Sequence, residues 1–191
     1  ILDDTGDMKV AISYMDIYER MNREFIDRNK IVLERSSLIV LDTNPPEDVI
    51  RYTLSSIRQQ KFIVDTVSTA KAVKIRDVLG SFHTVKPNRL EAEVLTGIEI
   101  IDWESLERTA DFFHMKGVQN VFVSLGADGT YYSDNKSRGV MKANKLEIVN
   151  ATGAGDAFIA GLVLGNLRAW DIEEKTRFAI GASLMALAYK D

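Results

Sequence analysis

Short apolar runs typical of β-strands alternate with amphipathic helical patterns along most of this chain, and this alternation constrains its fold more than any other feature. The predicted strands are residues 38–41, 62–64 and 121–125. The predicted helices are residues 47–59, 71–79 and 103–115, the last with Asp102 as its N-cap. Strands that alternate with helices in this way form parallel sheets covered by helices on their faces. The sequence therefore predicts an α/β fold with a mostly parallel, buried central sheet.

The predicted sheet ends in antiparallel strands. Residues 129–133 and 145–149 alternate polar and apolar side chains and flank the polar loop 133–139, which predicts an antiparallel pair at the sheet edge. The opening stretch ILDDTGDMKVAI contains a turn-forming Asp-Thr-Gly and predicts another hairpin. Because no internal repeat and no linker rich in Pro, Gly or Ser divides the chain, residues 1–191 are predicted to form one domain.

Charge and composition narrow the classes of partner. The 191 residues carry a net charge of −4, without the basic stripe that attaches a protein to nucleic acid or to acidic lipid. The longest apolar run is too short for a membrane span, and the absence of cysteine excludes disulfides and thiolate chemistry. We therefore expect a cytoplasmic protein that acts on a small molecule, with neither nucleic acid nor membrane as a partner.

The stretch NATGAGDAFIAG, residues 150–161, places small residues and one carboxylate between a predicted strand and an apolar helix. A helix that begins at Gly153, Ala154 and Gly155 directs free amides and its positive dipole end at a ligand, and glycines let phosphate oxygens approach the backbone. Asp156 falls in the first turn, where it is placed to take a proton from an alcohol. Taken alone, the stretch fits equally well an Asp156 that caps the helix and glycines that permit tight packing.

The segment KPNRLEAEVLTG, residues 86–97, ends a strand at Pro87 and begins a helix at Asn88. Glu91 follows one turn later, so the Asn88 and Glu91 side chains share a helix face and suit phosphates and the water shell of Mg²⁺. The same spacing is that of a capping box, which for this segment on its own is the commoner explanation.

The segment SLGADG, residues 124–129, leaves a buried strand through Gly126 and Gly129. Such a turn is weak evidence of function by itself, but ligands of open α/β sheets collect at the carboxyl ends of the strands. Three further polar residues stand at predicted strand ends and are expected to join the same crevice: Asp42, Asn44 and Asp65.

Five basic residues are interpreted as structural or solvent-exposed. His83 and His114 lack the spacing of metal ligands and are interpreted as structural or exposed. Lys71, Lys74 and Arg76 fall on one predicted helix and are interpreted as a solvated face, with Lys71 as a weaker candidate for lining the crevice.

In this order, the three segments resemble the motifs of the PfkB family of ribokinase-like carbohydrate kinases. A KPN segment with Asn-x-x-Glu, a Ser/Thr-x-Gly-x-x-Gly turn and a closing DTxGAGD motif follow one another in that family, as residues 86–91, 124–129 and 150–156 do here. The GAGD element is the most specific of the three, and the resemblance covers nearly the whole chain. It implies a three-layer αβα, ribokinase-like fold in which residues 1–18 form part of a β lid.

The resemblance also implies roles for individual residues. Asp156 is implied as the catalytic base, with Gly153, Ala154 and Gly155 as the anion hole. Glu91 is implied to organise Mg²⁺ through water. The residues implied to bind the phosphates of ATP are Asn88, Ser124, Gly126 and Gly129.

Two positions bear on cation and substrate. Asn150 replaces the first aspartate of the family motif, which in relatives helps to bind a monovalent cation, so a K⁺ site at Asn150 and Thr152 stays open. Asn44 stands where ribokinase-type relatives carry a glutamate that faces the sugar, and it is the candidate contact to a nucleoside. Within the family, the segments that most resemble pseudouridine kinases are ILDDTGDMKVAISYMDIYE, VDTVSTAKAVKIRDVL, TVKPNRLEAEVLTG and VSLGADGTYYSD.

The implied reaction is transfer of a phosphoryl group from ATP to the primary 5′-hydroxyl of a ribosyl compound, with pseudouridine first and another sugar or nucleoside second. Relatives are longer, so the chain is expected to begin within or just after the lid, which in the family often forms a homodimer contact. Two alternatives are a non-catalytic kinase-like ligand sensor and a packing domain with purely architectural glycines. The intact Asp156, Glu91 and glycine cluster favour the kinase.

Overall fold

The computed structural model of the chain describes residues 14–142 and 153–188, and six strands within them form one sheet. The strands lie in the order β1-β2-β3-β4-β5-β6. The first four are parallel to one another, whereas the last two are antiparallel to their neighbours. The strands are β1 Leu38–Asp42, β2 Lys61–Asp65, β3 Thr84–Lys86, β4 Asn120–Ser124, β5 Thr130–Ser133 and β6 Arg138–Met141.

Helices connect the parallel strands and follow the antiparallel ones. The α-helices are α1 Arg23–Arg35, α2 Glu47–Ser56, α3 Thr69–Ala72, α4 Arg89–Thr96, α5 Trp103–Met115, α6 Ala154–Leu167 and α7 Ile172–Ala188. Short 3₁₀ segments are Asp16–Arg20, Val73–Ser81 and Gly126–Asp128. No helix in residues 14–142 or 153–188 is long and apolar enough to cross a membrane.

Each face of the sheet has its own apolar core. Val64 and Val121 face a core made with α2, α4 and α5, whereas their chain neighbours Ile63 and Phe122 face α6 and α7. All four side chains are fully buried. Burial on both faces explains why the parallel strands read as continuous apolar runs, and it gives the three-layer arrangement that was predicted.

Most of the predicted elements are confirmed. Strands β1, β2 and β4 lie within one residue of the predicted runs, and α5 has the predicted bounds. Asp102 caps α5 as predicted, because its carboxylate accepts a hydrogen bond from the backbone N–H of Ser105 at 2.8 Å. Helix α2 ends at Ser56, three residues before the predicted end at residue 59.

Two predicted elements were wrong in detail. The predicted helix 71–79 is the short α3 followed by a 3₁₀ segment, because Ser68 caps the chain earlier and a kink with φ −116° interrupts it at Val78. Strand β5 pairs with β6, not with residues 145–149, because Asp134 accepts hydrogen bonds from the N–H groups of Lys136 and Ser137 and closes a tight turn. Residues 145–149 and the predicted opening hairpin lie outside the described residues.

Helices α6 and α7 approach each other closely at a glycine. A Cβ added to Gly161 would lie 2.6 Å from the Cα of Ala179, closer than real Cβ atoms come to a neighbouring backbone. A Cβ added to Gly181, on α7, would have no atom within 4 Å. These two helical glycines therefore differ in the space that a side chain would find beside them.

We expect Gly161→Ala to lower the free energy of unfolding of the full-length protein by about 1–3 kcal/mol, because the two helices must separate. We expect the matched variant Gly181→Ala to raise it by up to about 1 kcal/mol, because alanine favours helix over glycine and meets no neighbour. Urea unfolding of both variants measures the difference. Equal effects of the two substitutions would contradict this packing.

Candidate active site

The carboxyl ends of the parallel strands form one edge of the sheet. The last residues of β1, β2, β3 and β4 are Asp42, Asp65, Lys86 and Ser124. Asp42 is in register with Asp65, and Asp65 is in register with Lys86. Polar and charged side chains that sequence places at separate strand ends therefore stand side by side, as predicted for Asp42 and Asp65.

Helix α6 begins at this edge and separates two cavities. The β1 cavity, of about 660 Å³, is lined by Asp42, Asp65 and Asp156 and by apolar side chains that include Val40 and Ile159. The β4 cavity, of about 310 Å³, has on its wall the residues Ala154 and Gly155 of the first turn of α6, together with Lys86, Ser124, Gly126 and Gly129. One helix N-terminus thus presents its carboxylate to one cavity and its small residues to the other.

Gly153 precedes α6 and has a left-handed backbone with φ 84°, a conformation that glycine adopts without a steric penalty. A glycine offers no side-chain oxygen to the free N–H groups of the first turn, so the positive end of the helix dipole is left for another anion. The hydroxyl of Ser183, on α7, donates to the carbonyl of Ala154 at 2.7 Å and ties the two helices together there.

An ion pair joins the sheet edge to the start of α6. The ammonium of Lys86 lies 3.6 Å from the carboxylate of Asp65, and only 13% and 18% of these side chains are exposed. A Cβ added to Gly155 would lie 3.3 Å from the Lys86 nitrogen. Glycine at this position therefore allows a cationic group to lie directly against the helix N-terminus.

The other oxygen of Asp65 is held by a strained turn. It accepts a hydrogen bond from the N–H of Val67 at 2.9 Å, and Val67 has φ 60°, which is rare for a β-branched residue. The carbonyl of Thr66 accepts from the hydroxyl of Thr43 at 2.7 Å and from the N–H of Ser68 at 2.6 Å. This network fixes the Asp65 carboxylate, and strain of this kind is common at functional sites.

The turn after β4 requires its two glycines. Gly126 has φ 62° and Gly129 has φ 100°, both in the left-handed region. A Cβ at Gly129 would overlap the carbonyl oxygen of Met141, so strand β6 also depends on this glycine. The backbone N–H of Ser124 donates to the carbonyl of Pro87 at 3.0 Å and links the turn to the end of β3.

Asn44 lies in the loop after β1 within a network of charged side chains. Its amide nitrogen donates to Asp42 at 2.6 Å, and its amide oxygen accepts from the ammonium of Lys71. Lys74 donates to the carbonyls of Thr43 at 3.0 Å and Pro45 at 3.1 Å, and burial lowers the pKa of Lys74. The surface interpretation of Lys71 and Lys74 was therefore wrong, because both side chains turn inward to hold this loop.

Asn88 and Glu91 form the capping box of α4. The Asn88 side chain accepts from the N–H of Glu91, and the Glu91 carboxylate accepts from the N–H of Asn88, both at 2.9 Å. The carboxylate also accepts from the Asn88 amide at 2.9 Å and from the Thr66 hydroxyl at 2.5 Å. Glu91 is 5% exposed, so this capping role is a firm part of the fold.

Six of the predicted site residues line the two cavities. Asp156 lines the β1 cavity, whereas Ala154, Gly155, Ser124 and the two turn glycines line the β4 cavity. Gly153, Asn44, Asn88 and Glu91 stand near this edge but line neither cavity. Asn150 and Thr152 lie outside the described residues, as do residues 1–13 of the predicted lid.

The sequence predicted no role for Lys86, and it placed Tyr18, which lines the β1 cavity, only within the expected lid. The position of Lys86 as the last residue before Pro87 was a usable signal, because the neighbouring strands also end in charged residues. Nothing in the local sequence marks Tyr18 as a wall of the β1 cavity.

We expect Glu91→Gln to lower the free energy of unfolding of the full-length protein by about 1–3 kcal/mol, because an amide NH₂ would face donors that the carboxylate now accepts from. Chemical denaturation measures the change. Glu99→Gln, at an exposed position on the same stretch of chain, is the matched control and should change stability by less than about 0.5 kcal/mol. An unaltered stability of Glu91→Gln would contradict the buried capping box.

Comparison with known proteins places this site in a family. A model of pfkB family carbohydrate kinases matches residues 4–190. The pseudouridine kinase of Escherichia coli strain K12 is 40% identical over 189 residues, which are 98% of this chain and 60% of that protein. The ribokinase of Haemophilus influenzae is 32% identical over 114 residues, which are 60% of this chain and 37% of that protein. The chain thus spans about 60% of the length of the pseudouridine kinase that it matches.

Solved structures confirm the predicted ribokinase-like fold. A protein of Clostridium perfringens described as a sugar kinase superposes with a TM-score of 0.88 at 37% identity, over 100% of this chain and 60% of that one. The ribokinase of Thermotoga maritima superposes with a TM-score of 0.82 at 23% identity, over 100% of this chain and 62% of that one. With a family model that matches nearly its whole length, the chain belongs to the pfkB family of carbohydrate kinases.

Proposed function

We propose that the protein containing this chain is an ATP-dependent kinase that phosphorylates the primary 5′-hydroxyl of a ribosyl compound, with pseudouridine as its substrate. One observation carries the proposal: the N-terminus of α6 separates two cavities, with the Asp156 carboxylate facing one and the small residues of the first turn facing the other. Two substrates that exchange a phosphoryl group need such neighbouring sites. The similarity to pseudouridine kinase supports the choice of substrate.

The residues around the β4 cavity fit the phosphates of ATP. Gly126 lines this cavity and has no atom within 4 Å of the place that a Cβ would take, so its backbone is open to close approach by a ligand. The Lys86 ammonium and the dipole of α6 supply positive charge on the same wall. A phosphate group bound there finds amide donors and a cation together.

Mg²⁺ would depend mainly on phosphate and water at this site. Residues 14–142 and 153–188 contain no group of three or more His, Asp or Glu arranged to hold a metal ion. The Glu91 carboxylate already accepts three hydrogen bonds, from Asn88 twice and from Thr66. An ion that keeps several of its waters matches these conditions, since Mg²⁺ dehydrates reluctantly. Glu91 would act on it through the water shell.

Asp156 is the group that we assign as general base. ATP, accompanied by Mg²⁺, supplies the phosphoryl group when bound. Asp156 lines the β1 cavity, so it can accept the proton of an alcohol held there while the first-turn amides of Ala154 and Gly155 face the β4 cavity. The dipole of α6 and Lys86 offset the negative charge that develops between the two cavities. No covalent bond to the protein is needed.

The ion pair between Asp65 and Lys86 positions the cation of this site. One oxygen of the Asp65 carboxylate accepts a hydrogen bond from the N–H of Val67, and the other lies against the Lys86 ammonium. These two contacts fix the orientation of the carboxylate. The fixed carboxylate in turn holds the Lys86 ammonium against Gly155. Pre-organised charge of this kind stabilises a transition state without reorganisation at the moment of reaction.

The size and lining of the β1 cavity support a nucleoside or a sugar as the acceptor of the phosphoryl group. Its volume of about 660 Å³ is within the range of small-molecule sites, and its apolar wall includes Val40, Ile159 and Val163. Asp42 and Asp65 at its rim are acceptors for hydroxyl groups. Asn44, fixed by Asp42 and Lys71, stands beside this rim and remains our candidate for a polar contact to the nucleoside.

Three further expectations from the sequence stay predictions. These are a K⁺ site at Asn150 and Thr152, a lid formed in part by residues 1–18, and a homodimer assembled through that lid. Within the expected lid the described residues begin at Tyr14, and the 3₁₀ segment Asp16–Arg20 brings Tyr18 to the β1 cavity.

We expect Asp156→Asn to lower kcat of the full-length enzyme by about 10²- to 10⁴-fold while the Kd for ATP changes little, because the amide cannot accept the alcohol proton and does not line the β4 cavity. Steady-state rates and nucleotide titration measure the two effects. Asp111→Asn, at an exposed aspartate on α5, is the matched control. A variant that retains most of its kcat would remove Asp156 as the base.

Titrating Glu91→Gln with Mg²⁺ tests the water-mediated role of Glu91. We expect the variant to need a higher Mg²⁺ concentration for its half-maximal rate.

We expect the full-length enzyme to phosphorylate pseudouridine with a kcat/KM about 10- to 100-fold above that for uridine, and further above that for ribose. Pseudouridine has an extra ring N–H, and a buried acceptor left unpaired by uridine costs about 1–3 kcal/mol.

Asn44→Ala should raise KM for the nucleoside more than KM for ATP. A panel in which ribose is the best substrate would overturn the choice of pseudouridine and leave the role of Asp156 intact.

A further inference from the structure

A third cavity lies at the opposite edge of the sheet from the candidate active site. Its volume is about 480 Å³, and it opens at the amino ends of the parallel strands, where Lys61 begins β2, His83 precedes β3 and Asn120 begins β4. The turn between β5 and β6 and the loop between α6 and α7 supply the rest of its wall. We call it the amino-edge cavity, and the proposed kinase reaction makes no use of it.

Positive charge collects in the amino-edge cavity. Lys61, Lys136 and Lys175 all line it, and none of them forms an ion pair with a carboxylate in the part of the chain that the structure describes. Two aspartates also line the cavity, so its lining carries one more cationic than anionic side chain, and the charges of Asp134 and Asp171 raise the pKa of Lys175 against the effect of burial. Asp134 accepts from two N–H groups of its own turn at 2.7 Å, and Asp171 accepts from the N–H of Glu174 at 2.8 Å.

His83 contributes a neutral donor to the same cavity. Burial, and then the positive charges of Lys61 and Lys175, lower the pKa of His83 to about 4, so the imidazole is neutral near pH 7. His83 Nδ1 lies 2.8 Å from the Thr84 hydroxyl and 3.5 Å from the Asn120 amide nitrogen, and both of these groups can donate to it. With Nδ1 accepting from them, the ring proton is assigned to Nε2, which makes no hydrogen bond to the described residues.

Lys175 is held in position by a glycine. A Cβ added to Gly165 would lie 2.6 Å from Cγ of Lys175 and 3.3 Å from the ring of Trp170, so the lysine stem packs directly on the α6 backbone. Burial lowers the pKa of the Lys175 ammonium, as expected for a charged group that is partly removed from water. A partly desolvated cation without an ion-pair partner gains stability when an anion binds beside it.

We propose that the amino-edge cavity binds a small anion that carries a phosphate group, either inorganic phosphate or a phosphate monoester, between Lys61, Lys175 and His83. Three lysines and His83 line the cavity, and a phosphate has enough oxygens to accept hydrogen bonds from several such donors at once. The cavity volume suits a small molecule better than a macromolecule.

This site is separate from the one proposed for ATP. The two lie at opposite ends of the same parallel strands, since β2 runs from Lys61 to Asp65 and only the Asp65 end reaches the β1 cavity. An anion at the amino edge therefore leaves the β4 cavity free, and its binding can be followed without turnover.

The test uses full-length protein with isotope-labelled histidine, in which the His83 signal is identified by its loss in His83→Gln. Inorganic phosphate and ribose 5-phosphate are titrated separately at low ionic strength, which distinguishes free phosphate from an ester. We expect a saturable shift of the His83 signal with at least one of them, and a raised pKa of His83 when the anion is bound, because a nearby anion stabilises the imidazolium. The signal of His114, whose ring nitrogens are hydrogen-bonded to Val118 and Ser133, should not shift.

Three variants check the assignment. Lys61→Gln combined with Lys175→Gln should weaken binding by at least about tenfold, whereas Lys30→Gln on α1 should leave it unchanged. Gly165→Ala should also weaken binding, because it displaces Lys175 and removes no charge. Absence of a His83 shift with both phosphates, an equal shift with acetate, or an undiminished shift in the double variant would overturn the proposal.

Discussion

The parallel register of β1 to β4 is the constraint on which the rest of this structure depends. Because all four strands run in one direction, the charged residues that end them meet at one edge, where Asp42, Asp65 and Lys86 occupy neighbouring positions. The same register brings Lys61 and His83 together at the other edge. Two polar regions thus arise on opposite sides of a core that is apolar on both faces, and neither requires a separate domain.

Close approach of α6 to the sheet edge turns this arrangement into a site. Helix α6 packs on Phe122 through Phe158, whose rings lie 6.0 Å apart, and this contact fixes where the helix begins. At that point Gly155 meets the ammonium of Lys86, and Asp156 falls on the side of the β1 cavity. A larger residue at position 155 would push the cation away from the helix N-terminus, so the glycine is required by contact rather than by backbone conformation.

Local pattern predicted those parts of the molecule that local forces determine. The apolar runs, the cap at Asp102 and the small residues before Asp156 are each visible within a few residues of sequence, and the structure has them where they were expected. The contacts of Lys71 with Asn44 and of Lys86 with Asp65 join residues that are far apart in sequence, so no spacing rule reveals them. The β5–β6 pair was mispredicted because a single carboxylate, that of Asp134, shortens the turn by hydrogen bonds that composition does not show.

The β1 cavity exists because the layer of α6 and α7 covers Leu38 at the start of β1 but does not extend over Val40. Val40 is in register with Ile63 on the same face of the sheet, yet Val40 is 46% exposed whereas Ile63 is fully buried beneath the helices. The uncovered surface is apolar, so it can pack against the carbon face of a sugar or base but cannot orient it. Orientation then depends on the few polar groups at the rim, chiefly Asp42 with Asn44. Under the function proposed above, substitutions at that rim should change the choice of alcohol more than the rate of proton transfer to Asp156, because Asp156 stands on α6 and the rim on the loop after β1.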